Sequence, residues 1–162
     1  TPDFTALLDR RYAVWFVLHI NEVAELTEHA KQSIRTLTRA GVPLLAQTVL
    51  LRGVNDTPEA LEALLRTLVA NRVKPAYLHH LDPAVGTGHF RTSIAEGRAL
   101  MRTLRGRLSG IAQPTYLLDT PGGHGKVPIG PDYLCADPDR PGHYRVEDFR
   151  GGMHDYLDRN ED

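Results

Sequence analysis

Four short apolar runs alternate with longer segments of helical periodicity along most of this chain. The runs cover residues 14–20, 44–51, 76–81 and 115–118. Each has the length and the apolar character of a strand that is buried on both faces. Because strands and helices that alternate in this way form parallel sheets with right-handed crossovers, the pattern predicts an α/β fold, either part of a (β/α) barrel or an open sheet.

Each segment between the runs carries signals that start a helix. The signals are Thr27, Thr57 with Pro58, and Ser93 with Glu96 as a capping box. The apolar residues that follow recur at helical spacing, so each helix presents one apolar face to the sheet. Gly41 is predicted to end the first helix, because glycine readily adopts the left-handed backbone found at helix C-termini.

The chain changes character after residue 130. Residues 131–162 are rich in Pro, Gly and Asp, and residues 144–149 are predicted to form an edge strand of a hairpin. We therefore predict two parts. Residues 1–130 form the α/β part, a partial barrel or an open sheet of parallel strands with flanking helices, and residues 131–162 form an irregular C-terminal extension.

Composition argues against several classes of protein. The net charge of −1 gives no electrostatic reason to expect nucleic acid or an anionic membrane as a partner. No apolar run approaches the roughly 20 residues that a membrane-spanning helix needs. The single cysteine, Cys135, excludes an internal disulfide and a Cys-x-x-Cys metal site. We expect no metal ligands among these residues and a reducing, cytoplasmic location.

Polar side chains gather at one end of the predicted strands. They are His19, Asn21, Gln47, His79, His80, Asp82 and Asp119. In parallel sheets and barrels this carboxyl end is where ligands bind. A lone strand histidine is more often a hydrogen-bonded core residue, but polar ends on four successive strands favour a ligand site. His79 and His80 are adjacent on a strand, so they point to opposite faces and cannot chelate one ion together.

A glycine-rich segment with a lysine at its end follows the fourth run. It reads Asp119-Thr-Pro-Gly-Gly-His-Gly-Lys126. Glycine lets the backbone approach a ligand closely, and a lysine at the lip of such a loop is a candidate Schiff-base nucleophile for an aldehyde such as pyridoxal phosphate. Segments of this kind are more often ordinary turns with a solvated lysine, so this segment alone leaves both interpretations open.

Five short motifs stand in order between about residues 13 and 134. They are His19-Ile-Asn21, Gln47-Thr-Val-Leu-Leu-Arg-Gly-Val-Asn-Asp56, His80-Leu-Asp82 with Gly88-His-Phe-Arg91, Ser109-Gly110 to Pro114, and Asp119 to Lys126. Together they resemble the lysine 2,3-aminomutases of the radical S-adenosylmethionine (SAM) superfamily. The resemblance implies an isomerase that converts L-α-lysine to L-β-lysine by a SAM-initiated radical 1,2 amino shift, with pyridoxal phosphate carrying the migrating nitrogen.

The resemblance assigns roles to residues at matching positions. Lys126 matches the lysine that forms a Schiff base with pyridoxal phosphate. Asp82 and Asp119 match the two carboxylates that bind the distant ammonium of the substrate lysine. His19 and Gln47 match residues at strand ends that contact SAM.

The glycine loop matches the family with one departure. Gly122, Gly123 and Gly125 are at positions where the family's backbone passes close to the cofactor. The family's loop is often all glycine, and His124 differs from that pattern. The substitution costs some conformational freedom but leaves the lysine in place.

The iron–sulfur motif of the superfamily is absent. A Cys-x-x-x-Cys-x-x-Cys motif holds its [4Fe–4S] cluster, and a chain with one cysteine cannot contain that motif. The resemblance therefore implies that this chain is the C-terminal half of the enzyme, with residues 1–130 as the C-terminal half of the superfamily's partial (β/α) barrel. It also implies that the cluster ligands lie outside this chain and that the chain is inactive alone. We expect the full-length protein to be a homo-oligomer with L-lysine as its substrate.

Three other functions stay open at this point. Glutamate 2,3-aminomutases carry groups suited to an acidic side chain in place of the carboxylate pair, so Asp82 and Asp119 argue against that substrate. An enzyme that makes β-lysine for the modification of elongation factor P shares the reaction, but its glycine loop is usually less complete. A non-catalytic α/β module that binds a phosphate ligand at the glycine loop leaves the carboxylate pair unexplained.

Overall fold

The structure, a computed structural model, describes residue 4 and residues 13–158. These residues form a five-stranded sheet with helices packed on it and a separate three-stranded sheet. The strands of the first sheet are β1 (Phe16–His19), β2 (Leu44–Leu50), β3 (Lys74–His80), β4 (Thr115–Asp119) and β5 (Lys126–Pro128). The helices are α1 (Glu28–Arg39), α2 (Pro58–Ala70) and α3 (Ile94–Arg105), and the second sheet comprises β6 (Leu134–Ala136), β7 (His143–Glu147) and β8 (Met153–Leu157).

Strands β1 to β4 are parallel and lie side by side in chain order. One of the three helices lies in each connection between them, as alternating segments of this kind require. Along β2 every second residue from Leu44 to Leu50 is buried, and of these Leu44, Ala46 and Leu50 belong to the core formed with the helices. The alternate residues of β2 are partly exposed. The predicted α/β class with parallel strands and flanking helices is confirmed, and closure into a barrel stays a prediction.

The three helices begin where the sequence predicted. Thr27 and Thr57 each accept a hydrogen bond of 3.2 Å from the backbone nitrogen three residues further on. Ser93 Oγ accepts one from the backbone nitrogen of Glu96 at 3.1 Å, and the Glu96 carboxylate accepts one from the Ser93 nitrogen at 2.6 Å. Helix α1 ends at Arg39, close to the predicted stop. No helix in the described part of the chain is long and apolar enough to cross a bilayer.

The hydrophobic core lies between α2 and the parallel sheet. Four leucines of α2 are at most 1% exposed, namely Leu61, Leu64, Leu65 and Leu68. They belong to the apolar face that helical spacing predicts. Burial of one such side chain stabilises the fold by about 1.5–3 kcal/mol before entropy costs are counted. Tyr116 from β4 and Leu104 from α3 complete the same cluster.

Two strand boundaries differ from the prediction. β1 is shorter than the apolar run at residues 14–20, and β3 starts at Lys74 rather than at residue 76. The earlier start places Pro75, which has no N–H group, inside a buried strand. The register between β2 and β3 is irregular between Ala46, the partner of Pro75, and Gln47. The missing donor therefore falls where the ladder is already interrupted.

The extension after residue 130 is regular, so the prediction of an irregular segment is wrong. β6, β7 and β8 form an antiparallel sheet. β7 lies at its centre, which also corrects the predicted edge position of residues 144–149. β6 and β8 consist entirely of exposed residues, so they lack the apolar alternation from which a strand is usually recognised.

The second sheet contacts α3 through charged and aromatic side chains. Arg102 Nε donates to both carboxylate oxygens of Glu147 at 3.2 Å. The guanidinium carbons of Arg102 and Arg105 lie 6.0 and 5.6 Å from the centre of the Tyr133 ring. Partly exposed contacts of this kind contribute about 1 kcal/mol or less each. The predicted boundary at residue 130 stays a prediction.

Candidate active site

The carboxyl ends of the parallel strands surround an open cleft. His19 ends β1, and Gln47 is its register partner in β2. Asp119 ends β4, and Asp82 lies two residues beyond the end of β3. These four side chains and Lys126 line one cleft of about 390 Å³. The structure thus brings together five residues that the sequence analysis selected from distant parts of the chain.

The glycine loop forms the continuation of this cleft. A second cavity of about 510 Å³ shares Asp82, Asp119 and Lys126 with the first. Gly123 and Gly125 are among its lining residues. Gly122 is not among those residues, although it was predicted to lie against a cofactor. A Cβ atom at Gly122 would instead meet His124 Nε2 at 3.1 Å.

Positive backbone angles let the loop reverse the chain in a few residues. Gly122, Gly123 and Gly125 have φ values of 85°, 79° and 89°, which side chains other than glycine rarely adopt. The Thr120 nitrogen donates to the Gly125 carbonyl at 2.8 Å and closes the turn. β5 then runs antiparallel to β4.

This hairpin places Lys126 directly opposite Asp119. The two residues are register partners, and Lys126 Nζ donates to both carboxylate oxygens of Asp119. The side chains are 53% and 33% exposed, so water screens the pair and the contact contributes only modestly to stability. The amine of Lys126 is therefore hydrogen-bonded to Asp119, one of the two carboxylates predicted to bind the substrate.

Asp82 is the second carboxylate of the cleft. It lines both cavities together with Asp119. Among the residues that the structure describes, no Lys, Arg or His side chain forms an ion pair with Asp82. The carboxylate is therefore available to a cationic ligand, whereas the charge of Asp119 is already paired.

His79 was predicted among the polar strand ends of a ligand site, without a specific chemical role, and it lines the cleft. Its Nδ1 lies 3.9 Å from Asp119 Oδ2, and its Nε2 is buried without a hydrogen-bond partner in the described part of the chain. Burial lowers the pKa of His79 below its ordinary value of 6.5, and the charge of Lys126 lowers it further against the opposing effect of the nearby carboxylates. A neutral imidazole therefore stands beside the ion pair at pH 7. The alternation of side chains along β3 places it on the cleft side, opposite to His80.

His80 lies on the opposite face of β3 from His79, as strand alternation predicts, although it is also among the residues at the wall of the cleft. His80 Nδ1 and the Tyr116 hydroxyl are hydrogen-bonded at 2.8 Å, and both residues are buried. Burial lowers the pKa of His80 and raises the pKa of Tyr116 to about 12, so both groups are neutral at pH 7. This bond connects β3 and β4 just behind the ends that carry Asp82 and Asp119.

A buried asparagine fixes the carboxyl ends of β1 and β2. Asn55 is 1% exposed, and its Oδ1 accepts a hydrogen bond from the Leu51 nitrogen at 2.8 Å. Its Nδ2 donates to the carbonyls of Asn21 and Val49, both at 2.9 Å. Asn21 Oδ1 in turn accepts from the Val49 nitrogen at 2.9 Å. Asn21 was predicted among the polar strand ends of a ligand site, but it is not among the residues that line the two cavities and it holds the strand ends instead. The sequence predicted no role for Asn55.

Within the described residues, no group of three or more His, Cys, Asp and Glu side chains is arranged to hold a metal ion. Cys135 is exposed on β6, in the second sheet. A cluster that needs three cysteine ligands does not fit this chain, which has one cysteine.

Comparison with known proteins decides the family. The family profile described as Lysine-2,3-aminomutase matches residues 101–159. L-lysine 2,3-aminomutase of Fusobacterium nucleatum is 38% identical over 158 residues, which are 98% of this chain and 37% of that protein. The chain belongs to the lysine 2,3-aminomutase family. The family that the motifs predict is therefore confirmed.

Two further relatives are named for different substrates. A protein of Aquifex aeolicus that is provisionally named L-lysine 2,3-aminomutase is 49% identical over 128 residues, or 79% of this chain and 35% of that protein. Glutamate 2,3-aminomutase of Clostridioides difficile is 40% identical over 136 residues, or 84% of this chain and 32% of that protein. The chain spans about a third of the length of these relatives. The overall identities to the lysine and the glutamate enzymes are similar, so they do not distinguish the two substrates. The side chains of the cleft are the remaining source of that distinction.

Proposed function

We propose that this chain supplies the pyridoxal phosphate lysine and the substrate pocket of an L-lysine 2,3-aminomutase, which interconverts L-α-lysine and L-β-lysine by a SAM-initiated radical amino migration. The observation that carries the proposal is the shared cleft of Asp82, Asp119 and Lys126 at the carboxyl ends of the strands. A phosphate-binding module needs the glycine loop but not the two carboxylates. The aminomutase needs all three features in one place.

Lys126 and the glycine loop suit pyridoxal phosphate. The amine is partly exposed at the cleft, and the backbone of Gly123 and Gly125 lines the adjoining cavity without side chains that would exclude a flat ring. When bound, pyridoxal phosphate supplies a carbon–nitrogen double bond through which the amino group can migrate between neighbouring carbons. This chain would position the cofactor. Lys126 would provide the covalent attachment, and the glycine loop would bring its backbone close to the cofactor.

Asp82 and Asp119 suit the ammonium at the far end of a lysine substrate. Charge-assisted hydrogen bonds from an ammonium to two carboxylates are strong and directional, and they hold the carbon chain in place for hydrogen abstraction. The same two charges repel the side-chain carboxylate of glutamate. This pair of carboxylates would therefore select lysine over glutamate. Overall sequence identity does not decide between the two substrates.

His19 and Gln47 are proposed to contact SAM. They are register partners on β1 and β2 and line the cleft that also contains Lys126. SAM held by these two residues would supply the radical inside the same cleft that Asp82 and Asp119 line. The ligands of the [4Fe–4S] cluster would come from another part of the protein, because this chain has one cysteine.

A chimeric enzyme tests the proposal. This chain replaces the aligned segment of L-lysine 2,3-aminomutase of Acetoanaerobium sticklandii, which is 42% identical over 136 residues. Asp82→Asn and Asp119→Asn keep the side-chain shape and remove the charge. Loss of a charge-assisted hydrogen bond to a desolvated ammonium costs about 2–5 kcal/mol, so each variant is expected to lose about 30-fold or more in kcat/KM for L-lysine.

The matched control is Asp132→Asn in the same chimera. Asp132 is 80% exposed and pairs with Arg98, and it is not among the residues that line the cleft. It should turn over L-lysine like the unmodified chimera. If the two cleft variants do the same, Asp82 and Asp119 are ordinary strand-end residues and the assignment of lysine as substrate is wrong.

A further inference from the structure

Asp119, one of the two carboxylates of the cleft, is the expected partner of two different cations. Asp119 is paired with the Lys126 ammonium, yet the proposed function gives the same carboxylate to the ammonium of the substrate. We propose that Lys126 occupies the ammonium site of Asp119 until an aldehyde engages its amine, so that cofactor attachment opens the site for an alkylammonium substrate. This inference rests on the proposed function and adds an order of binding to it.

The hairpin makes the pairing intrinsic to the fold. β4 and β5 are connected by a turn of six residues, and their register sets Lys126 against Asp119. Both carboxylate oxygens accept hydrogen bonds from Nζ. A lysine held by its own hairpin has a high effective concentration at Asp119, so an external amine must compete with it.

The charges of the cleft favour competition over simultaneous binding. Two carboxylates and one ammonium leave a net charge of −1, which one monovalent cation neutralises. Asp82 offers that charge without a cation partner in the described residues. A second ammonium at Asp119 would stand beside the Lys126 ammonium and be repelled by it. The full two-carboxylate site therefore exists only after Lys126 has left.

Attachment of an aldehyde removes the competitor. The Lys126 ammonium loses a proton to solvent, its nitrogen bonds to the carbonyl carbon, and the carbonyl oxygen leaves as water. Nζ then carries at most one proton instead of three, so it can no longer donate to both oxygens of Asp119. The side chain is 53% exposed, and it can therefore turn away from Asp119 without disturbing the core.

Nitrogen NMR of the complete chain tests the competition directly. The chain contains three lysines, Lys31, Lys74 and Lys126, so an isotope-labelled sample gives three Nζ signals. Lys31 pairs with Glu28, and Lys74 donates to the carbonyls of Pro75 and Gln113, which makes both internal references. The probe is 1,5-diaminopentane, and 1-pentanol serves as the uncharged control.

Titration with the diamine should move the Lys126 signal toward that of a free ammonium and leave the other two unchanged. 1-Pentanol should move none of them. If the Lys126 signal stays in place while the diamine binds, the two cations do not compete and the inference is overturned. This measurement uses the unmodified protein and does not depend on a variant that folds.

Two substitutions give an independent measurement. Lys126→Met removes the ammonium and keeps the length of the side chain, whereas Lys126→Arg keeps a cation opposite Asp119. An ion pair of this exposure implies that Lys126→Met binds the diamine about two- to sixfold more tightly than the unmodified chain. Lys126→Arg should show no gain, and adding Asp119→Asn to Lys126→Met should abolish it. Equal affinity of Lys126→Met and the unmodified chain would contradict the inference.

Failure of the inference can be told apart from failure of the proposed function. Reductive labelling with pyridoxal phosphate reports attachment to Lys126 without any added amine. Labelling at Lys126 together with an unchanged diamine affinity in Lys126→Met refutes the competition alone. A gain of affinity without labelling at Lys126 supports the competition and refutes the cofactor assignment.

Discussion

Substitution of Gly97 on α3 by alanine tests how the strands behind the cleft are held. A Cβ atom at this position would lie 2.1 Å from the Tyr116 hydroxyl oxygen and 2.4 Å from Tyr116 Cζ. Tyr116 is 1% exposed and hydrogen-bonded to His80, so it cannot swing into solvent. The absence of a side chain at Gly97 is what lets this tyrosine lie against the helix.

The magnitude follows from three contributions. Overpacking of a core costs about 1–3 kcal/mol. Loss of the bond between Tyr116 and His80 leaves buried polar groups unpaired, at about 1–3 kcal/mol. Alanine in a helix offsets about 1 kcal/mol of this total relative to glycine. Gly97→Ala should therefore lower the free energy of unfolding by about 1–5 kcal/mol, or the melting temperature by about 2–20 °C.

Urea denaturation followed by circular dichroism measures the effect. Gly110→Ala is the matched control, because a Cβ atom at Gly110 meets no atom within 4 Å. The control should change the free energy of unfolding by less than about 0.5 kcal/mol. If Gly97→Ala is as stable as Gly110→Ala, α3 does not pack on Tyr116 as described, and the support of the strand ends behind the cleft must be different.

Two further predictions concern the same framework. Asn55→Ala removes three hydrogen bonds at a residue that is 1% exposed. Because buried backbone groups then lose their partners, the free energy of unfolding measured by urea denaturation should fall by about 2–4 kcal/mol. The depressed pKa of His80 means that the unfolded chain binds more protons below pH 6.5. Stability should be complete above pH 6.5 and fall as the pH drops toward the folded pKa, and His80→Gln should reduce this slope in urea midpoints measured at several pH values.

The parts of the fold that the sequence predicted are those with local signals. The capping residues Thr27, Thr57 and Ser93 act within one helical turn, and the apolar face of α2 is visible as spacing alone. The start of β3 was missed because proline normally does not occur inside a buried strand. Pro75 fits there because the pairing with β2 is irregular next to its partner Ala46, which the sequence of β3 does not reveal. The exposed strands β6 and β8 depend on pairing with β7, which no local pattern encodes.

The candidate site shows the same division. His19, Asp82 and Asp119 could be selected because each stands at or near the carboxyl end of an apolar run, where parallel strands place their ligands, and Gln47 because it is a polar residue within such a run. The contact between Asp119 and Lys126 could not be predicted, since it depends on the register of a hairpin whose second strand is three exposed residues. Strand alternation predicted that His79 and His80 point to opposite faces, but only the distance from His79 to Asp119 showed which of the two faces the carboxylates of the cleft.

Reductive labelling of the complete chain tests the central claim that Lys126 is the aldehyde-binding lysine. The chain is incubated with pyridoxal phosphate, reduced with borohydride, and digested for mass spectrometry of each lysine. Lys74 makes this test strict, because it competes with Lys126 for the aldehyde. Burial lowers the pKa of Lys74 and so favours its nucleophilic, uncharged amine. We expect the label on Lys126 in clear excess over Lys31 and Lys74, and its loss in Lys126→Ala. Equal labelling of the three lysines, or a preference for Lys74, would contradict the account.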